Sequence, residues 1–98
     1  MEAIPVNATR NTKALHQFLV EQGAKVISEN ITELCFIGKG GMEVVHRIII
    51  NHNTARVNTI RTVAGQNALH TDLLRLHEVS EVVIYDLKQM QHQMQKAA

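Results

Sequence analysis

The first regular pattern of apolar and polar positions lies at residues 12–23, TKALHQFLVEQG. Its apolar side chains recur at three- and four-residue steps, which places them on one side of a helix. Asn11 or Thr12 can accept hydrogen bonds from the first backbone N–H groups, and Gly23 suits the left-handed residue that ends many helices. We therefore predict an N-terminal helix, preceded at residues 1–10 by a loose arm or a short edge strand.

The spacing of apolar residues changes from helical to strand-like at Ala24. Two runs, AKVIS at 24–28 and ITELCFIG at 31–38, are rich in strand-forming residues and are separated by turn residues. The GKGG turn at 38–41 leads into a longer hairpin at 40–65. Consecutive strands joined by short turns predict a four-stranded antiparallel meander.

The hairpin has two chemically different faces. A turn at His52–Asn53 and a turn at 51–54 both place Ile50 opposite Ala55, so they give the same faces. The first face is predicted to be core; it carries Met42, Val44, His46, Ile48 and Ile50 with Ala55, Val57, Thr59, Arg61 and Val63. The second face is mixed; it carries Glu43, Val45, Arg47 and Ile49 with Arg56, Asn58, Ile60 and Thr62. A mixed face is either partly covered sheet surface, with its arginines paired to carboxylates, or a contact face for a partner.

The last third of the chain has two interpretations. After Gly65 the leucines of NALHTDLLRLH recur at helical spacing, which predicts a helix. Beyond it, either EVVIY at 81–85 is a strand followed by a short helix, or one helix continues across 68–96. We favour the strand, because three of its residues are consecutive and β-branched, and because Asp86 with Gln89 resembles a capping box that starts a new helix.

These elements predict a single α+β domain over residues 1–98. It consists of an N-terminal helix, a four-stranded antiparallel β-meander and C-terminal helical segments, with a fifth strand at 81–85 in the favoured interpretation. A chain of this length buries only about two-thirds of the surface that its unfolded form exposes, so a partner subunit would stabilise it.

The composition excludes several classes of function but does not favour any single one. Ten basic and nine acidic residues nearly cancel, so no strong field favours nucleic acid. The aromatic residues are Phe18, Phe36 and Tyr85 alone, which leaves almost nothing on which bases or sugars could stack. No apolar run approaches the ~20 residues of a membrane-spanning helix, and the N-terminus has no secretory signal. Cys35 lies in the apolar run LCFI, so we expect a buried, reduced thiol. Together these features predict a cytoplasmic protein without membrane contact.

The histidines invite a metal or acid–base hypothesis, but their spacing is unfavourable. They are His16, His46, His52, His70, His77 and His92, and no two have the four-residue helical spacing of zinc ligands. His46 is the best placed for acid–base chemistry, with Asp72, Glu78 or Asp86 as its partner, although a hydrogen bond to Thr59 across the strands is simpler. The GKGG segment leads into a strand, so it is a turn and not a phosphate loop. We predict no metal, no cofactor and no catalytic residue.

The function that remains is a non-enzymatic binding or adaptor protein acting through protein–protein contacts as a homodimer. Its interface candidates are Val45, Arg47, Ile49, Arg56, Asn58 and Ile60 on the mixed hairpin face, with Met90 and Met94 near the C-terminus. The alternative is a regulatory protein that binds nucleic acid or another anion through Arg47, Arg56 and Arg61. A small enzyme that uses His46 is a third hypothesis.

Overall fold

The protein has a helix at each end and a β-meander between them. The computed structural model describes residues 11–75 and 81–97 together with positions 4, 8 and 79, so the arm predicted at 1–10 lies almost wholly outside the described residues. The elements are α1 (Thr12–Glu21), β1 (Lys25–Ser28), β2 (Ile31–Ile37), a short 3₁₀ turn (Lys39–Gly41), β3 (Glu43–Asn51), β4 (Arg56–Val63), β5 (Gln66–Arg75) and α2 (Glu81–Ala97). The α+β class predicted from the sequence is confirmed.

The five strands form one antiparallel sheet in chain order, β1-β2-β3-β4-β5, so every neighbouring pair is joined by a short connection. Both helices pack on the same face of this sheet. The core between them contains Leu15 and Leu19 of α1, Leu34, Phe36, Val44, Ile48, Ile50 and Val57 of the sheet, and Val83, Leu87 and Met90 of α2. The two layers together account for the burial of apolar surface in a chain of this size.

Local signals at both ends of α1 are those that the sequence indicates. The side chain of Asn11 accepts hydrogen bonds from the backbone N–H groups of Lys13 and Ala14. Gly23 has φ +102°, and the end of the Met94 side chain lies so close that a Cβ atom there would sit 2.6 Å from the Met94 methyl group. Glycine is therefore required at this position for its conformation and allows α2 to approach the end of α1.

The β3–β4 hairpin keeps its predicted faces but not its predicted register. Ile50 lies opposite Val57, two residues from the predicted partner Ala55, because the turn spans residues 52–55. The Asn51 side chain accepts two backbone hydrogen bonds inside this turn, and Ala55 closes it with φ +56°. A shift of two residues preserves which side chains share a face, so the predicted core face is confirmed within the strands.

The helix predicted after Gly65 is wrong, since β5 occupies those residues. Ala64 and Gly65 both have positive φ values, and Val63 pairs with Gln66, so a two-residue turn reverses the chain into another strand. Turns with two positive φ values match the twist of an antiparallel hairpin. The ladder with β4 then determines the conformation of a segment whose leucine spacing alone favours a helix.

The strand predicted at 81–85 is also wrong, because these residues begin α2. Val83, Leu87 and Met90 are buried at three- and four-residue steps and pack on the sheet, which outweighs the β-branched run. Asp86 does not start a helix but lies inside one, and its carboxylate bonds with the sheet. The alternative, a single helix across 68–96, is wrong over its first part for the same reason as the helix after Gly65.

Among the described residues, no helix has both the length and the hydropathy needed to cross a membrane.

Candidate functional site

The face of the sheet opposite the helices is the first candidate site, and we call it the open face. It is formed by Ile31, Glu33, Cys35 and Ile37 of β2, Glu43, Val45, Arg47 and Ile49 of β3, and Arg56, Asn58, Ile60 and Thr62 of β4. The apolar members range from half-buried Val45, Ile49 and Ile60 to Ile37, which is 52% exposed. Several branched apolar side chains therefore lie side by side without a helix packed on them in the described structure.

An ion pair lies in the middle of the open face. Arg47 donates from Nε and from Nη2 to the same oxygen of Glu33, over 2.9 and 2.7 Å. The Glu33 side chain is 9% exposed although it lies on the open face, and its neighbour on the other side is Lys25 of β1. Carboxylate hydrogen bonds of this kind are stronger than neutral ones, so the charge of Arg47 is largely satisfied within the sheet.

The predicted interface residues fall into two groups. Val45, Arg47, Ile49, Arg56, Asn58 and Ile60 share the open face as expected. Met90 is 4% exposed and belongs to the core, because its position on α2 faces the sheet. Met94 is 49% exposed and lies over Gly23, on the helix side of the molecule. The two methionines therefore do not extend the open face.

Cys35 differs from its prediction, since its side chain is exposed on the open face and not buried in the core. The apolar run LCFI is a strand whose alternate residues face opposite sides, so Leu34 and Phe36 are buried while Cys35 is not. Partial burial, followed by the negative charges of Glu33 and Glu43, raises the pKa of the Cys35 thiol. The thiol is accessible but is not activated as a nucleophile.

The second candidate site is a buried group of three side chains on the helix side of the sheet. Asp86 of α2 accepts on Oδ2 from His46 Nδ1 at 2.8 Å and from Arg61 Nε at 2.7 Å. A carboxylate can only accept, so His46 carries a proton on Nδ1. The favoured expectation, a hydrogen bond between His46 and Thr59, is wrong because the register places Arg61 opposite His46. Asp86 is one of the three partners expected for His46, whereas no feature of the sequence indicates Arg61 as the second donor.

This group does not form an accessible acid–base centre. The His46 side chain is completely buried, and among the described residues neither its Nε2 atom nor Asp86 Oδ1 has a hydrogen-bond partner. A substrate cannot reach an imidazole without exposed surface. The other partners considered for His46 are Glu78, which lies outside the described residues, and Asp72, whose side chain lies outside them too.

The remaining histidines form no metal site in the described part of the chain, where no three histidine, cysteine, aspartate or glutamate side chains lie close enough to hold an ion. His52 Nδ1 lies 2.6 Å from the Thr12 hydroxyl at the start of α1. Burial of the His16 ring, together with the nearby His52, lowers the pKa of His16. His77 and the His70 side chain lie outside the described residues.

Comparisons of the chain with protein-family models, with curated proteins and with solved structures found no match. Function therefore has to be inferred from the chemistry of the two candidate sites.

Proposed function

We propose that this chain is a non-enzymatic binding protein that pairs with a second copy of itself through the open face. One observation carries the proposal: both helices cover the same side of the sheet, while the opposite side presents Val45, Ile49 and Ile60 around an ion pair. A sheet whose uncovered face carries several apolar side chains gains stability when those side chains are buried.

Charge on the open face favours a second copy over an oppositely charged partner. Glu33 neutralises Arg47 within the face. In a two-fold contact each copy presents the same surface, so an unpaired charge near the centre of the contact would face the identical charge on the other copy. Internal pairing removes that repulsion and leaves apolar side chains to supply the attraction.

The size of the open face is that of a small interface. The three strands that form this face span about 14 Å and eight residues of a strand about 27 Å, which gives roughly 390 Å² before side-chain relief is counted. A standard protein–protein interface buries about 800 Å² of accessible surface on each partner. A dimer that meets through these three strands would thus lie at the small end of the range, where dimerisation depends on protein concentration.

The arginines support nucleic-acid binding only weakly, whereas the apolar residues of the open face support a dimer. Arg47 is paired with Glu33, and Arg61 lies on the helix side, where it is paired with Asp86. Arg56 is the one member of the predicted set without an ion pair in the described structure, and it lies at the first position of β4. Phosphate contacts from one arginine would bind weakly.

The test is the solution mass by light scattering over a range of concentrations, for the native chain and for Ile49→Glu. An isologous interface contains each substitution twice, so burying two unpaired carboxylates should raise the dimer dissociation constant at least about 100-fold. Val26→Glu is the matched control: Val26 is 52% exposed, and its register partner Thr32 faces the helices.

We expect a native dimer, a folded monomer for Ile49→Glu by circular dichroism, and a dimer for Val26→Glu. A native chain that stays monomeric at all concentrations would refute the proposal, and so would an Ile49→Glu variant that dimerises like the native chain.

A further inference from the structure

A pocket lies on the helix side of the sheet, at the end of β2 and β4 and beneath α2. Its volume is about 530 Å³, within the range of small-molecule sites. The floor is the cross-strand row Phe36, Val44 and Val63, the roof is Tyr85 and Gln89 of α2, and the rim is the turn at 38–42. Apolar side chains form most of this surface, so the pocket suits a ligand with a hydrocarbon portion.

Two cations line the same pocket. Lys39 belongs to the turn at its rim and Arg61 to the strand β4, and no carboxylate of the described residues is among the lining side chains. Tyr85 and Gln89 add a hydroxyl and an amide as neutral donors. This lining offers hydrogen-bond donors to an anion and apolar contacts to its tail.

The buried group described above holds Arg61 in place. Asp86 is completely buried and takes the Nε–H of Arg61, while His46 bonds to the same carboxylate oxygen. In the described structure the hydrogen bonds of Arg61 involve Nε alone, and its side chain is 23% exposed. Its two terminal amino groups therefore remain available at the pocket, on a guanidinium whose orientation is fixed.

Such a group is poorly explained by stability alone. A buried ion pair adds little to folding, and well-packed apolar residues in its place are often as stable or more so. An arginine anchored by a buried carboxylate at the wall of a pocket is instead the arrangement that presents a charge to a ligand.

We propose that this pocket binds a small amphipathic carboxylate, with its carboxylate between Arg61 and Lys39 and its hydrocarbon chain against Met42, Val63 and Tyr85, which expose apolar surface there. The site lies on the helix side of the sheet, and of its lining residues only Ile37 also belongs to the open face, so the site does not depend on the proposed dimer. Arg61 supplies the planar donor pair that suits a carboxylate, and Lys39 supplies a second charge.

The test uses sodium octanoate as the probe, with octan-1-ol and acetate as matched compounds that lack the charge and the hydrocarbon chain. Binding to the full chain is followed by amide chemical shifts in NMR spectra. We expect saturable octanoate binding with shifts at residues 38–42 and at Val63. We expect affinity for octan-1-ol to be lower by about 10-fold or more, since the cations would then lack a partner, and no detectable acetate binding at the same concentrations.

Variants decide whether the two cations are responsible. Arg61→Gln should weaken octanoate binding about 10-fold or more, and Lys39→Ala about threefold or more. Lys13→Ala, an exposed lysine on α1 at the other end of the sheet, should bind like the native chain. Lys39 is exposed in a turn, so Lys39→Ala remains informative even if Arg61→Gln does not fold.

The proposal would be overturned by no saturable octanoate binding, by equal affinity for octan-1-ol, or by native affinity in Lys39→Ala. Shifts confined to the open face would also contradict it, because they would place the probe at a different surface.

Discussion

Asp86 keeps its carboxylate in the core because two donors from neighbouring strands converge on one of its oxygen atoms. His46 and Arg61 lie opposite each other on β3 and β4, and α2 brings Asp86 over them. The helix therefore meets the sheet through a charged contact as well as through Val83, Leu87 and Met90. A charged contact depends on geometry more strictly than apolar packing does, so this group helps to fix how α2 lies on the sheet.

At the same scale, His16 predicts a pH dependence of stability. Burial and the neighbouring His52 lower the pKa of His16 from its ordinary value of about 6.5. Between the lowered pKa and about 6.5 the unfolded chain binds more protons than the folded one, so the free energy of unfolding falls as the pH drops through this range.

Urea unfolding at about pH 7 and about pH 5 checks this expectation. His16→Gln should lose less stability than the native chain between the two values, whereas His92→Gln, at an exposed position of α2, should follow the native chain. Equal losses for His16→Gln and the native chain would show that His16 does not contribute.

At the scale of elements, the sequence predicts most of the fold up to Val63. Asn11 and Gly23 mark the ends of α1, and the alternation along β3 and β4 identifies their buried face. These signals are local: caps, turn residues and a two-residue period can be recognised without knowledge of the tertiary structure.

The structure of the last third of the chain could not be predicted without tertiary information. The segment 66–75 forms a strand because the Ala64–Gly65 turn places it beside β4, and residues 81–85 are helical because Val83 and Leu87 pack on the sheet. Asp86 looks like a helix start when only its neighbours are considered. Its true partners lie 40 and 25 residues away, and no local pattern indicates them.

Gly23 lies where the end of α1 approaches α2, and stability should depend on it. Gly23→Ala should destabilise the protein by about 1–2 kcal/mol, since an L-residue is strained at positive φ. The close atoms belong to the flexible end of Met94, which can move, so strain and not collision should dominate. Urea unfolding measures the change.

Two further variants separate the causes. Gly41 has φ +78° and open space where a Cβ atom would lie. The loss of stability in Gly41→Ala therefore measures backbone strain alone. Gly23→Ala made in a Met94→Ala background should cost nearly as much as in the native chain. A cost that disappears in that background would show that collision with Met94 is the main effect.

At the scale of the whole molecule, one sheet separates two different surfaces. The helix side contains the core, the buried group around Asp86 and the pocket beside Arg61. The other side is the open face, where Glu33 and Arg47 satisfy each other among apolar side chains. Apart from Ile37, which belongs to the open face and also lines the pocket, the proposed dimer contact and the proposed ligand site use different residues.

Cys35 allows the most direct test, because it is an exposed thiol on the open face. The measurement is its rate of alkylation by iodoacetamide over a range of protein concentrations, at one fixed pH because burial raises the pKa of the thiol. If two copies meet through the open face, the rate should fall by about 10-fold or more as the native chain dimerises, since the reagent reacts only with the exposed thiolate. In Ile49→Glu the rate should not change with concentration. A native chain that dimerises while its alkylation rate stays constant would contradict the proposal, because its copies would then meet through another surface.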